Sequence, residues 1–294
     1  MSANLDSSPS REAVRDEIQH LQRRLREAEA RLRGTTSSQD AIPKVLASDG
    51  PLAASSQHYL LLLSDSALPL GSFAFSSGLE SYLAHTRPKS SFPDFLDFSL
   101  SSYASTTLPF VLGAHRDPTH LIELDDALDA AIMCTVGRRA SVAQGRALLS
   151  IWDRSFAEAR PAGSSLDVVT CLKDFALQLR ATSSAVSSAG PVVSAHLAPL
   201  FGAVASILGM SPQQTAYVFM LSHVKALLSA AVRASIFGPY HGQKVLASTD
   251  VQKGIQRAIT REWNTKVEDA GQIVPVMDLW IGRHEMLYSR IFNS

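Results

Sequence analysis

The sequence predicts an all-α protein: a single globular multi-helix domain over residues 58–294, preceded by an extension over 1–34 with a heptad-patterned helix and a flexible linker over 35–57. Three observations predict it. Apolar residues recur with the 3.6-residue period of an amphipathic helix in segment after segment. Several of these segments open on a small polar residue followed by proline, a helix-start signature. Alternating β-branched runs and Asn-Gly hairpin turns are both missing, so nothing argues for a sheet.

The first element is Arg11 to Arg33, where Val14, Ile18, Leu21, Leu25, Ala28 and Leu32 recur at alternating spacings of four and three. That is a heptad seam, with Arg and Glu on the other faces. Fewer than four heptads are present, so a lone amphipathic helix and a short coiled coil both fit. Ser, Thr, Pro and Gly then enrich the chain up to about Gln57, the composition of a linker without fixed structure.

Within the body, Leu60 to Leu63 form an apolar run that stops at Ser64-Asp65, whose short side chains bond nearby backbone. Pro69 and Gly71 force a turn, and Phe73 and Phe75 supply two aromatic anchors that plug the core if the segment is a rigid connector. Ser77-Gly-Leu-Glu80 has capping-box form and predicts a helix to His85. Ser91 caps a second helix, with Pro93 in its first turn. Asp117-Pro118 opens a helix through Ile132, and Ser211-Pro212 opens a long one carrying Tyr217, Met220, Leu221, Val224, Leu228, Ala231 and Val232. Met277, Ile281, His284, Tyr288 and Ile291 form a final helical stripe.

Composition narrows the function. Lys+Arg and Asp+Glu are both 27, so the net charge is zero, which argues against an electrostatic grip on nucleic acid or an acidic membrane surface. The tract Thr215 to Phe237 is interrupted by His223, Lys225 and Arg233 and is expected to fall short of a membrane span. Residues from 58 onward are only about 16% charged, below the roughly 25% of an average domain, and charge-poor surfaces become interface cores. Cys134 and Cys171 form no CxxC and fit a reducing, cytoplasmic compartment, and the polar amino terminus lacks a secretory run.

Catalytic and cofactor signatures are sparse. No Lys directly follows a Gly, so a phosphate-binding loop is excluded, and GxGxxG and HExxH are absent. His115 and His120, the closest histidine pair, lack the i,i+4 spacing of metal ligands, and His115 or His241 alone reads as a hydrogen-bonded residue. Ser64, Asp65 and Ser66 lack the nucleophile elbow of a hydrolase. The sequence therefore predicts no enzyme, no metal site and no bound cofactor.

The stretch Ser64-Asp-Ser-Ala-Leu-Pro-Leu-Gly-Ser-Phe-Ala-Phe-Ser-Ser-Gly-Leu-Glu80 resembles the signature of the UreF family of urease accessory proteins, through Ser64, Asp65, Ser66, Pro69, Gly71, Phe73 and Gly78. Four further blocks agree in order: Arg138 to Gly145 with Leu148-Leu149; His196 with Phe201-Gly202 and Leu208-Gly209; Arg233, Gly238 and Gly242-Gln243; and Asp278-Leu279, His284-Glu285 and Ser289 to Ser294. Departures are Ser72 for the second glycine of the turn, Phe75 where relatives have His, a displaced Pro199, and Asn293. The heptad segment lies outside the resemblance.

The resemblance implies a non-enzymatic, homodimeric chaperone that joins a UreD-type (UreH) accessory protein to the GTPase UreG and acts on apo-urease, nickel and GTP being handled by the partners. For Arg138, Ser141 and Gly145 on one helix face, packing within the subunit stands beside Arg138 or Gln144 bonding a partner. Glu80 is either a capping carboxylate or a coupling residue toward the GTPase. Arg233 and Gln243 either brace the turn at Gly238-Pro239 or touch the GTPase. His284 belongs to the same carboxyl-terminal block as Arg290-Ile291-Phe292, the segment expected to meet the UreD-type partner. The competing reading is a coiled-coil adaptor whose first helix recruits cargo, with no link to metal insertion.

Overall fold

The computed structural model describes residues 24, 51–86, 91–161, 165–184 and 193–293. The chain divides into two units, 1–50 and 51–294. Of the first only Arg24 is described, helical and exposed, so the heptad seam and most of the linker lie outside the described residues. The second unit consists of helices with no strand among its described residues.

The first of these helices, α1 (Pro51–Ser64), begins within the segment expected to be linker. Tyr59 and Leu63 are buried, so α1 is held by core contacts and not by turn chemistry. Next come α2 (Leu79–Thr86) and α3 (Phe92–Arg116), the latter capped as expected by Ser91, which accepts from Asp94 N–H. Pro109 lies inside α3 and offers no N–H to the Ser105 carbonyl one turn back. That carbonyl instead accepts from Gly271 N–H at 3.1 Å, which ties the loop before the last helix onto α3.

Asp117 caps a short 3₁₀ turn, Pro118–His120, ahead of α4 (Leu121–Ala131). Helix α5 (Thr135–Ile151) runs into a π-helical turn, Trp152–Phe156, and α6 spans Leu166–Ser184. The apolar helix α7 (Leu197–Ile207) is buried along nearly its whole length and is the centre of the core. It packs on α3 and α5. A Cβ at Gly202 would stand 2.1 Å from Val111 O of α3, so only glycine permits that crossing.

Helix α8 (Pro212–Arg233) carries a complete capping box from Ser211 and Gln214. By length and composition it is apolar enough to cross a membrane, contrary to the sequence expectation, but 61% of its most apolar window is buried inside the protein. It is a core helix here. The chain finishes with α9 (Pro239–Leu246), α10 (Thr249–Glu262) and α11 (Val276–Arg283).

Two local expectations are corrected. The Ser77–Glu80 capping box does not form: Ser77 and Gly78 take φ values of 49° and 85°, and α2 starts only at Leu79. The final stripe breaks after Arg283, where a 3₁₀ turn, His284–Met286, leads into irregular chain and leaves Tyr288 and Ile291 in solvent.

Candidate functional site

Two polar centres organise the unit, and the first lies where the signature turn meets the chain end. Gly71 takes φ 74°, the left-handed conformation that glycine adopts without strain, and opens the 3₁₀ turn Ser72–Ala74. Asp65 Oδ1 accepts from Ala67 N–H at 3.0 Å, an Asx turn that starts this loop, while Ser66 and Pro69 are exposed. Ser64 donates to Leu61 O, and its own carbonyl takes the ammonium of Lys225. Phe73 does not plug the core as the connector reading expects; it is 63% exposed. Ser72, in the place of a glycine, has room for its side chain and donates its hydroxyl to Gln144 Oε1 at 3.0 Å. Gly78 is buried, and a Cβ there would meet Ile281 at 3.1 Å, which lets α11 close over the turn.

Glu80, in the first turn of α2, gathers the chain end instead of capping its helix. Its Oε1 accepts from Ile291 N–H at 2.8 Å, and Oε2 accepts from Phe292 N–H at 3.3 Å and from His284 Nε2 at 2.8 Å. Asn293 N–H adds a bond to Ala74 O at 2.8 Å. His284 is fully buried, its Nε2 meets the carboxylate, and its Nδ1 has no hydrogen-bond partner among the described residues. The Phe292 ring is buried, and the Arg233 guanidinium lies 4.4 Å over it while donating to Phe73 O. The signature turn, α2, the end of α8 and residues 284–293 thus form one structure. Arg290 and Ile291 face outward from it, whereas His284 and Phe292, expected to meet a partner, are buried inside it. Gln243 is exposed on α9.

The second centre joins α4, α5 and α7. Asp125 is fully buried and accepts three backbone N–H groups: Ser194 at 2.7 Å, Ala195 at 3.0 Å and His196 at 2.6 Å. These bonds hold Ala195 at φ 70°, a conformation costly for a residue with a Cβ. One turn on, Asp129 takes His196 Nε2 at 2.9 Å and a two-pronged bond from Arg138. Ser141 Oγ meets His196 Nδ1 at 3.1 Å and accepts from Leu197 N–H at 3.3 Å. Burial, aided by the Arg138 charge, holds the imidazole below its ordinary pKa despite the opposing pull of Asp125, so the ring is neutral. A Cβ at Gly145 would stand 2.1 Å from Ala195 O, which fixes the small face of α5 as a packing surface.

Hydroxyl, imidazole and carboxylate here follow the order of an acyl-transfer triad. Ser141 Oγ, however, is also tied to the first N–H of α7, and Arg138 occupies Asp129, so the three groups bind three helices together. Arg138 is accordingly engaged within the chain. Asp125 and Asp129 escaped the sequence reading, although one signal was present: Asp125 shares the buried stripe of α4 with Leu121 and Leu128, where an unpaired acid does not belong. Among the described residues no group of three or more His, Cys, Asp or Glu stands ready to hold a metal ion.

Fold and polar centres together define an all-α protein whose buried acids and histidines are used to pin its own loops and chain end. Residues 86–250 match the family model UreF, and the chain belongs to the UreF family of urease accessory proteins. It is 36% identical over 239 residues to a UreF-like urease accessory protein of Schizosaccharomyces pombe, covering 81% of this chain and 97% of that one. Urease accessory protein F of Arabidopsis thaliana is 33% identical, with 79% and 90% covered. Urease accessory protein UreF of Paenarthrobacter aurescens is 29% identical, with 83% and 100% covered.

Proposed function

We propose that this chain is a non-enzymatic scaffold in urease maturation, a homodimeric cytoplasmic subunit that joins a UreD-type (UreH) accessory protein to the GTPase UreG on apo-urease. Nickel and GTP are handled by those partners, and this chain keeps no cofactor of its own. Family membership supports the link to urease maturation. One observation carries the docking role. Between Leu279 and Ile291 four large apolar side chains, Leu279, Met286, Tyr288 and Ile291, stand 62–107% exposed, while Glu80 holds the backbone beneath the last of them. Exposed apolar side chains on a pinned backbone bind with little ordering cost. This surface takes the UreD-type partner, and Arg233 with the exposed Phe73 offers a contact toward the GTPase.

Two experiments test the proposal. Deleting the chain leaves urease polypeptide present but nickel-free and inactive, and wild-type urease activity in that strain overturns the reading. Co-purification with UreD-type and UreG-type partners is lost when residues 290–294 are removed or Ile291→Asp is introduced, and full retention in both variants overturns the docking surface.

A further inference from the structure

A cavity of about 180 Å³ lies among α3, α5, α7, α8 and α11, with Met133, 83% exposed, in its wall. For scale, a cavity of about 150 Å³ in an apolar core takes up benzene. Aromatic rings dominate one wall. Tyr103 stacks on Phe219 at 5.1 Å and 13° and on His223 at 4.0 Å and 8°. His223 also meets Ser99 Oγ at 2.8 Å, and burial lowers its pKa to about 3, so it brings no charge.

The lining holds one charged side chain among the described residues, Asp278 of α11. Gln272 donates to its Oδ1 at 3.1 Å, and the neighbouring Gly271 N–H bonds Ser105 O, which ties the loop that holds this carboxylate to α3. Among the described residues neither Lys nor Arg lines the cavity, and burial pushes the Asp278 pKa up, as for a carboxylate without a counter-charge. A half-buried acid without a counter-charge in a largely apolar cavity favours a cation. One carboxylate with an amide and hydroxyls falls short of the oxygen set a hard divalent ion takes, whereas an organic ammonium needs one carboxylate and leaves the apolar lining to its body.

We propose that this cavity is a binding site for a small primary amine in its ammonium form, its charge on Asp278 and its body in the apolar lining. The cavity adjoins the docking surface, since Asp278 directly precedes Leu279 on α11, but amine binding is read by itself and does not depend on the scaffold reading.

The test is calorimetric titration of the full chain at neutral pH with benzylamine, benzyl alcohol and benzoate. The cation binds at least about tenfold more tightly than the alcohol, the discrimination one charge-assisted hydrogen bond supplies, and benzoate binds more weakly still. Asp278→Asn removes the preference for the cation, and Ala226→Phe, which fills the cavity from α8, weakens the cation and the alcohol alike. Equal binding of cation and alcohol, a preference that survives Asp278→Asn, or no heat from any probe up to about 10 mM overturns the site. Should Asp278→Asn fail to fold, the comparison of cation with alcohol on the wild type and Ala226→Phe decides.

Discussion

Glu80 carries a charge that three donors share, and two of those donors are backbone amides more than 200 positions away. Replacing it with Ala strips all three of their acceptor, at about 1.5–3 kcal/mol for a hydrogen bond to a charged group. We expect Glu80→Ala to speed amide exchange at Ile291, Phe292 and Asn293 while the amides of α7 keep their protection. Unchanged exchange at the chain end would mean that Phe292 alone holds it. A second residue-scale prediction concerns pH. His223 binds its proton at about 3 in the folded state against 6.5 in the unfolded chain. The unfolded state therefore holds more protons between those values, so stability is complete above pH 6.5 and falls as pH drops toward 3. The slope is at most about 1.4 kcal/mol per pH unit from this group. His196 and His115, both also held below their ordinary values chiefly by burial, act in the same direction. Urea denaturation at about pH 7 and about pH 5 measures the slope, and His223→Gln flattens it.

At the scale of elements, helix starts were legible where a serine cap is joined by a proline in the first turn, whereas the Ser248 cap of α10, without proline, was not read. Ser91 with Pro93 and Ser211 with Pro212 and Gln214 complete their caps within four residues, and nothing distant competes for those side chains. Ser77 and Glu80 carry the same spacing but form no cap, because the Glu80 oxygens are taken by the chain end. The final stripe failed for a related reason: periodicity continues through Ile291, yet the helix stops at Arg283 and the next residues are held as a strap. Close helix approach gives a prediction at this scale. Gly145→Ala forces a Cβ to within 2.1 Å of Ala195 O and costs about 1–3 kcal/mol by overpacking. Gly238→Ala, with nothing within 4 Å of the added atom, changes the melting temperature little. Thermal unfolding of the two variants compares them directly.

For the whole molecule, the place where the folded unit begins is itself testable. Chain starting at Pro51 retains all of α1, whereas chain starting at His58 loses the first half of a helix that packs on α8. We expect removal of residues 1–50 to leave the melting temperature of the second unit unchanged and removal of 1–57 to lower it. Equal melting temperatures would show that the first turns of α1 add nothing to the core. The sequence alone determined that the unit is helical, where α3 and α8 start, and that its signature turn and chain end belong together in one family. Those properties follow from hydrophobic period, local capping and residue identity, which neighbouring positions settle among themselves. Only the tertiary structure decided what Glu80, Asp125, Asp129 and His284 do, which residues near the chain end face solvent, and that Asp278 shares a cavity with Tyr103. A buried charge takes whatever donors the fold brings within about 3 Å, and sequence spacing does not say which those are.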